Sequence, residues 1–314
     1  MSEEPVVTVT LNPAIDQTLS IPGFAAGRVN RVAASRREAG GKGVNVACFL
    51  ADLGLPVIAT GFLGSQNPEL FVAAFARRGI TDRFVRVPGA TRVGIKIVDE
   101  RTRETTDINF PGLAPRPEEA EELCTGIAAL AAPGRWFVLS GSVPPGLPDE
   151  IYKNLIDSIQ GRGGRVLLDT SGPPLREALA GAPEVVKPNA DELGELLGRR
   201  LDTPAAVRGA AESLLERGVQ RVVISMGGAG AVFIERGQAL LARPPRVDVR
   251  GTVGAGDAMV AGIVAAMIDH SSLADLARLA TASGAYAVTR AGPGIEDREA
   301  HRRLITEVEI ETLS

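Results

Sequence analysis

Short runs of β-branched and apolar residues alternate with longer amphipathic segments along most of this 314-residue chain. The strand-like runs are 6–11, 57–62, 136–140, 166–169, 185–187 and 221–226, and the helix-like segments are 68–78, 148–160, 255–269 and 272–288. Such alternation is typical of a mainly parallel sheet with helices on both faces. The sequence therefore predicts an α/β fold of three layers, α/β/α.

Two polar regions interrupt this alternation. Residues 18–21 and 28–37 are short and alternating, as in half-exposed antiparallel strands. Residues 92–98 and 105–110 flank a charged turn and predict a hairpin. We expect the hairpin to pair with the first two strands as a small lid. The chain is then one domain, 1–314, with lid segments at about 12–37 and 88–112.

Composition excludes several classes of protein. Lys and Arg number 34 against 38 Asp and Glu, so no overall basic field exists to hold nucleic acid or an anionic membrane. No apolar stretch reaches the roughly 18 residues of a membrane span. Cys48 and Cys124 are isolated and the first residues, MSEEP, do not look like a signal peptide. We expect a cytoplasmic protein.

Histidine and lysine are scarce. His270 and His301 are the only histidines, both expected in polar surroundings at helix ends, so a catalytic base is expected to be a carboxylate. Lysine occurs only at 42, 96, 153 and 187, and arginine supplies the remaining positive charge. A lysine that touches one phosphate oxygen and a lysine retained by chance are both consistent with this bias.

A glycine-rich segment, 251–257, leads directly into an apolar helix. Glycines at a helix start allow close approach of a ligand, and the free amides and the helix dipole favour negative charge. This predicts an anion hole at Gly254, Ala255 and Gly256. Asp257 either complements the dipole or takes a proton from a substrate hydroxyl during phosphoryl transfer.

A second glycine-rich segment, GGKGVN at 40–45, also opens a helix. Backbone amides, Lys42 and Asn45 suit a phosphorylated, polyhydroxylated small molecule. It is not a Walker A loop, because Gly43 follows Lys42 where Ser or Thr is required. A glycine-rich turn with a solvated lysine is the alternative.

Two further segments follow predicted strands. In KPNADE at 187–192, Asn189 and Glu192 form either a capping box or the ligands of a hydrated nucleotide Mg²⁺. SMGGAG at 225–230 lacks the third glycine of a dinucleotide-binding loop and predicts contact with nucleotide phosphates or ribose, not NAD.

Together these segments resemble the ribokinase-like sugar kinases of the PfkB family. The resemblance rests on TLNPAID (10–16), AGGKGVN (39–45), SGSVPPG (140–146), VKPN (186–189) and TVGAGD (252–257). It implies a ribokinase-like fold and ATP-dependent phosphorylation of a sugar hydroxyl. It also implies Asp257 as catalytic base and the anion hole at Gly254 to Gly256. The implied sugar contacts are Asp16, Gly41, Asn45 and Ser142.

Subgroup features imply the acceptor. Lys42 and Arg92 match phosphate-binding positions, and Arg28 matches a lid position that can reach a neighbouring subunit. Lys42 resembles the subgroups that phosphorylate fructose 1-phosphate and tagatose 6-phosphate. The segments 82–88 and 106–112 are more similar to the first of these, which phosphorylates fructose 1-phosphate at O6. Tagatose 6-phosphate or fructose 6-phosphate as acceptor, a non-catalytic sugar- or nucleotide-binding regulator and, more remotely, a dehydrogenase are the alternatives.

The nucleotide is expected along the carboxyl edge of the sheet, with Mg²⁺ at Asn189 and Glu192. Adenine is expected between the 227–230 loop and the helix at 282–288. The expected nucleotide contacts are Lys187, Asn189, Ser225, Gly227, Gly230, Thr252, Gly254, Gly256 and Ser283. Gly251 replaces a small polar or acidic residue where related kinases bind a monovalent cation, which argues against dependence on K⁺. Exposed lid edges favour a homodimer.

Overall fold

The computed structural model describes residues 4–102, 104–290 and 292–313. The strands are β1 (Val6–Thr10), β2 (Ala14–Ser20), β3 (Ala34–Gly40), β4 (Val57–Gly64), β5 (Thr81–Asp82), β6 (Val85–Val87), β7 (Val93–Asp99), β8 (Glu104–Asn109), β9 (Trp136–Ser140), β10 (Arg165–Asp169), β11 (Val185–Val186), β12 (Arg221–Ser225), β13 (Ala231–Glu235), β14 (Gln238–Arg243) and β15 (Glu309–Thr312). The helices are α1 (Lys42–Asp52), α2 (Glu69–Arg78), α3 (Pro117–Leu130), α4 (Ile151–Gln160), α5 (Gly172–Ala178), α6 (Ala190–Leu197), α7 (Pro204–Leu215), α8 (Ala255–Ile268), α9 (Leu273–Val288) and α10 (Arg298–Glu307).

The main sheet has the order β15-β14-β13-β12-β11-β10-β9-β1-β4-β5, and β6 also pairs with β4. All pairs from β5 to β12 are parallel, whereas β12 to β15 are antiparallel. The predicted mainly parallel sheet is therefore confirmed. The antiparallel edge was not predicted.

Helices cover both faces of the main sheet. Alternate residues of one strand point to opposite faces, so Val138 packs into one apolar core and its neighbours Phe137 and Leu139 into the other. The first core is closed by α1, α2, α8, α9 and α10, and the second by α3 to α7. The α/β/α layering predicted from the sequence is confirmed.

A second sheet within the described residues has four strands in the order β3-β2-β7-β8 and is called the lid sheet below. β2 pairs with β3 antiparallel and with β7 parallel, and β7 and β8 form the hairpin. The predicted joining of the polar strands to the hairpin is confirmed. Most of β3 and all of β8 are exposed, which explains their polar sequences.

Some expectations for local structure need correction. His301 is buried, with its ring at 87° to the Tyr286 ring and its Nε2 3.0 Å from the Ser283 hydroxyl, so its surroundings are only partly polar. The helices α3, α5, α7 and α10 were not predicted from the sequence. None of the helices in the described ranges is long and apolar enough to cross a membrane.

Candidate active site

A cavity of about 760 Å³ lies at the carboxyl ends of the parallel strands, between the main sheet and the lid sheet. Asp169 ends β10, Lys187 follows β11 and Ser225 ends β12, and all three line this cavity. Open α/β sheets bind ligands at this edge because the loops that follow parallel strands converge there. The strand order therefore positions the polar groups of the cavity.

The start of α8 forms one wall of the cavity. Gly254 is the N-cap and has a φ of 81°, in the left-handed region that favours glycine. No carbonyl in the described ranges accepts a hydrogen bond from the amides of Gly256 and Asp257. Free amides at the positive end of a 14-residue helix can bind an anion.

Asp257 lies in the first turn of α8 and borders the cavity. Its carboxylate Oδ2 accepts a hydrogen bond of 2.8 Å from Asn45 Nδ2, which comes from the first turns of α1. Burial and the nearby negative charge of Asp169 raise the pKa of Asp257 to about 6, although Lys42, Asn45 and Lys187 act in the opposite direction. A carboxylate of this pKa can accept a proton near neutral pH.

Asp169 is buried between two lysines. Its Oδ1 lies 3.3 Å from Lys42 Nζ and 3.3 Å from Lys187 Nζ. Burial alone would raise the pKa of Asp169, but the two lysines outweigh it and hold the pKa below its usual value. For Lys42, the surrounding carboxylates likewise outweigh burial and raise the pKa. Asp169 therefore joins the side chains of Lys42 and Lys187 at the floor of the cavity.

Asn189 and Glu192 form a capping box at the start of α6. Asn189 Oδ1 accepts from the Glu192 amide at 2.7 Å, and Glu192 Oε2 accepts from the Asn189 amide at 2.8 Å. Both residues also line the cavity, so the box holds the Glu192 side chain at its edge. No cluster of three or more His, Cys, Asp or Glu side chains suited to a metal occurs among the described residues.

The lid sheet supplies the opposite wall. Asp16 on β2 and Lys96 on β7 form an ion pair of 3.0 Å, and Asn109 at the end of β8 lies beside them. The terminal nitrogens of Arg92 donate to the carbonyls of Asn12 and Phe110, each at 3.2 Å. Its Nε is buried and has no partner among the described residues. This wall carries both donors and acceptors for a polyhydroxylated ligand.

The model of the pfkB family carbohydrate kinases matches residues 5–300. The chain belongs to the pfkB family of carbohydrate kinases. It is a phosphotransferase. The chain is 48% identical over 309 residues to the 1-phosphofructokinase of Rhodobacter capsulatus, covering 98% of each chain. It is 50% identical over 281 residues to that of Xanthomonas campestris pv. campestris, covering 88% of each.

Solved pfkB-type structures share the fold. Phosphofructokinase-2 from Escherichia coli in complex with substrates and products superposes with a TM-score of 0.91 at 31% identity, covering 96% of this chain and 99% of the other. The same E. coli enzyme has been solved with potassium and in a tetrameric inhibited form. The ribokinase-like α/β architecture expected from the sequence is thereby shown.

Most residues expected at a pfkB site do line the cavity. They are Asp16, Gly41, Lys42, Asn45, Arg92, Lys187, Asn189, Glu192, Ser225, Gly227, Gly230, Thr252, Gly254, Ala255, Gly256 and Asp257. Their individual roles remain predictions.

Three expected residues lie elsewhere. Ser283 needs correction: its buried hydroxyl donates to the Leu279 carbonyl and lies 3.0 Å from His301 Nε2, on the side of α9 away from the cavity. Ser142 is exposed and accepts from Asn12 Nδ2 at 3.1 Å, outside the cavity lining. Arg28 is exposed on the loop between β2 and β3, so its predicted reach into a second subunit stays a prediction.

Asp169, Lys96 and Asn109 were not predicted as site residues. Asp169 could have been found from its place at the end of a predicted parallel strand, the argument that identified Lys187. Lys96 and Asn109 follow from the lid register, which the sequence does not specify.

Proposed function

We propose that this pfkB kinase transfers the γ-phosphoryl group of ATP to O6 of fructose 1-phosphate, giving fructose 1,6-bisphosphate and ADP. The observation that carries the proposal is the buried Asp257 carboxylate beside the free amides of α8. A base next to an anion site matches the needs of phosphoryl transfer. The relatives at 48% and 50% identity, both named 1-phosphofructokinase, support fructose 1-phosphate as the acceptor.

The proposed step is a direct transfer. Asp257 takes the proton of the O6 hydroxyl as O6 forms its bond to the γ-phosphorus. The bond from the γ-phosphorus to the β–γ bridging oxygen breaks, and its electron pair leaves on ADP. The amides of Gly254, Gly256 and Asp257 stabilise the negative charge of the migrating group. The Ala255 amide would join them by leaving the Thr252 carbonyl, to which it donates at 3.4 Å.

The nucleotide is proposed to lie along the carboxyl edge of the main sheet. Gly227 and Gly230 would approach its phosphates or ribose, and Lys187 and Thr252 its terminal phosphates. Gly284, Ala285 and Val288 of α9 line the same cavity and offer an apolar face for adenine.

The donor set at the start of α6 fits a mostly hydrated Mg²⁺ that arrives on the nucleotide. The capping box leaves Oε1 of Glu192 as the carboxylate oxygen outside the box. Mg²⁺ keeps several waters and needs few protein ligands. Glu192, with Asn189 holding it, would contact those waters, and the metal would neutralise phosphate charge.

The sugar is proposed to lie under the lid sheet. Asp16, Gly41 and Asn45 would bind its hydroxyls, with Ser142 close by, and Arg92 together with Arg28 of a second copy would hold its phosphate. Lys42 was expected at that phosphate. Its contact with Asp169, shared with Lys187, better supports a place beside the phosphoryl group in transfer.

At the level of the molecule, we propose one cytoplasmic domain, 1–314, with the lid segments as expected from the sequence. We also propose a homodimer through the lid sheets, since β3 and β8 leave unpaired strand edges.

A substrate panel tests the proposal. ADP release with MgATP is measured for fructose 1-phosphate, fructose 6-phosphate, tagatose 6-phosphate and unphosphorylated fructose. We expect the highest kcat/KM for fructose 1-phosphate, with equal rates in potassium and sodium salts. A higher kcat/KM for tagatose 6-phosphate or fructose 6-phosphate would reassign the acceptor, and no turnover with any sugar would favour a non-catalytic regulator.

A further inference from the structure

Lys96 is one of only four lysines in the chain and lies on the inner face of the lid sheet. Strand alternation puts Arg92, Gly94 and Lys96 on one face, and Asp16 stands directly opposite Gly94 in the register. The Lys96 ammonium reaches along this face to Asp16 Oδ1 at 3.0 Å.

The ion-pair partner of Lys96 is not the acidic residue directly opposite it in the lid sheet. Asp107 stands directly opposite Lys96 in the strand register, yet the ion pair forms with Asp16, whose carboxylate borders the cavity. Two other cations lie on this face. Arg36 is paired with Glu38 at 2.9 Å, and the terminal nitrogens of Arg92 donate to the carbonyls of Asn12 and Phe110. Among the described residues, Lys96 is thus the cation that forms an ion pair with the Asp16 carboxylate.

Glycines on both strands next to β2 lie close to the Asp16 carboxylate. A Cβ at Gly94 would lie 3.2 Å from Asp16 Oδ1, and a Cβ at Gly40 would lie 2.5 Å from Oδ2. The carboxylate therefore lies flat against glycines on both neighbouring strands. Its position and that of the Lys96 ammonium are fixed together.

An acceptor and a donor held side by side match a sugar hydroxyl, which donates one hydrogen bond and accepts another. Hydrogen bonds with a charged group on one side are stronger than neutral ones. We propose that Lys96 is a specificity-determining residue, which with Asp16 binds the ring hydroxyls of the ketose phosphate and selects their configuration. This inference rests on the proposed function and assigns Lys96 as a residue that discriminates between sugar configurations.

A surface ion pair offers a matched control. Lys153 and Asp157 form an ion pair of 2.6 Å on α4, away from the cavity. The test compares Lys96→Gln and Lys96→Arg with Lys153→Gln, after thermal unfolding has been measured for each. The acceptors are fructose 1-phosphate and its epimers at C3 and C4, psicose 1-phosphate and tagatose 1-phosphate.

We expect Lys96→Gln to raise the KM for fructose 1-phosphate about tenfold or more, with the KM for ATP changed less than about twofold. The ratio of kcat/KM between fructose 1-phosphate and its epimers should fall by a similar factor. Lys96→Arg keeps the charge and should retain part of this preference, and Lys153→Gln should retain all of it.

A different result is expected if the ion pair between Lys96 and Asp16 only stabilises the lid sheet. Lys96→Gln would then lower the unfolding temperature while the epimer preference and the KM for fructose 1-phosphate stayed as in the wild type, and the inference would be overturned. If Lys96→Gln does not fold, Gly40→Ala displaces the Asp16 carboxylate with all charges intact, because the added Cβ would lie 2.5 Å from Asp16 Oδ2. An unchanged preference in that variant overturns the inference equally. Failure of the wild-type chain to phosphorylate fructose 1-phosphate would instead refute the proposed function.

Discussion

The chemistry of Asp257 follows from its burial and its neighbours. If it is the base, Asp257→Asn should lower kcat by about 10² to 10⁴, the usual contribution of a general base, with little change in KM. Because burial and Asp169 raise the pKa of Asp257 to about 6, the wild-type kcat/KM should rise with pH through about 6. It should be about tenfold lower at pH 5 than on the plateau.

Asp275→Asn is the matched control for this variant. Asp275 is also an aspartate in the first turn of a helix, α9, but it is exposed and lies outside the cavity. Both variants lose any favourable contact with a helix dipole, and only Asp257→Asn removes the proposed base. Similar small losses of kcat in the two variants would mean that Asp257 only complements the helix dipole and is not the catalytic base.

Predicted site residues line the cavity where local geometry alone positions them. Gly254 to Asp257 lie at a helix start and Lys187 follows a strand end, and neither position depends on distant packing. The prediction of Ser283 as a nucleotide contact was wrong. The helix period places Thr281, Gly284, Ala285 and Val288 on the face of α9 that lines the cavity, and Ser283 on a different face. The partners of Asp169 and Lys96 depend on contacts between distant strands, which periodicity does not encode.

At the scale of an element, α6 combines a structural cap with a site residue. Asn189→Ala removes the cap of α6 and should cost about 0.5–2 kcal/mol in the free energy of unfolding, whereas Asn189→Ser should cost little, since Ser caps as well as Asn. Urea denaturation measures both. If Asn189 acts by holding Glu192, the Ser variant should also keep the wild-type KM for MgATP.

A different outcome at Asn189 would point to a direct contact of its amide. In that case Asn189→Ser would keep the stability of the wild type but raise the KM for MgATP as much as Asn189→Ala does.

The elements predicted most accurately are rich in apolar residues. They are the buried strands β9 and β12 and the helices α8 and α9, and their predicted bounds lie within one residue of the observed ones. The 7-residue α5 is too short to show a helical period, and α10 is amphipathic but mostly polar, so neither has a long apolar run in the sequence. The β13–β14 hairpin was likewise identified only by its pairing in the sheet.

At the scale of the whole molecule, the lid sheet determines the proposed assembly. Light scattering should give about twice the 32.8 kDa of one chain. Ile108 is 44% exposed on the edge strand β8, and a charge there opposes strand pairing between copies. Ile108→Lys should therefore shift the protein towards the monomer.

Val72→Lys is the control for the assembly. Val72 is 47% exposed but lies on α2, outside the lid sheet, so this variant should stay dimeric. A wild-type protein that runs as one chain at assay concentration would refute the dimer and would leave Arg28 without a second site to enter.

The two walls of the cavity belong to different sheets, and this separation bears on the balance between transfer to the sugar and hydrolysis of the nucleotide by water. Asp257 and the α8 amides come with the main sheet, whereas Asp16, Lys96 and Arg92 come with the lid sheet. In the proposed arrangement a hexose phosphate contacts both walls, whereas a water molecule is small enough to contact only one of them. The lid-sheet wall would then hold the sugar hydroxyl, but not water, in line with the γ-phosphorus, so we expect transfer to the sugar to be faster than hydrolysis of the nucleotide.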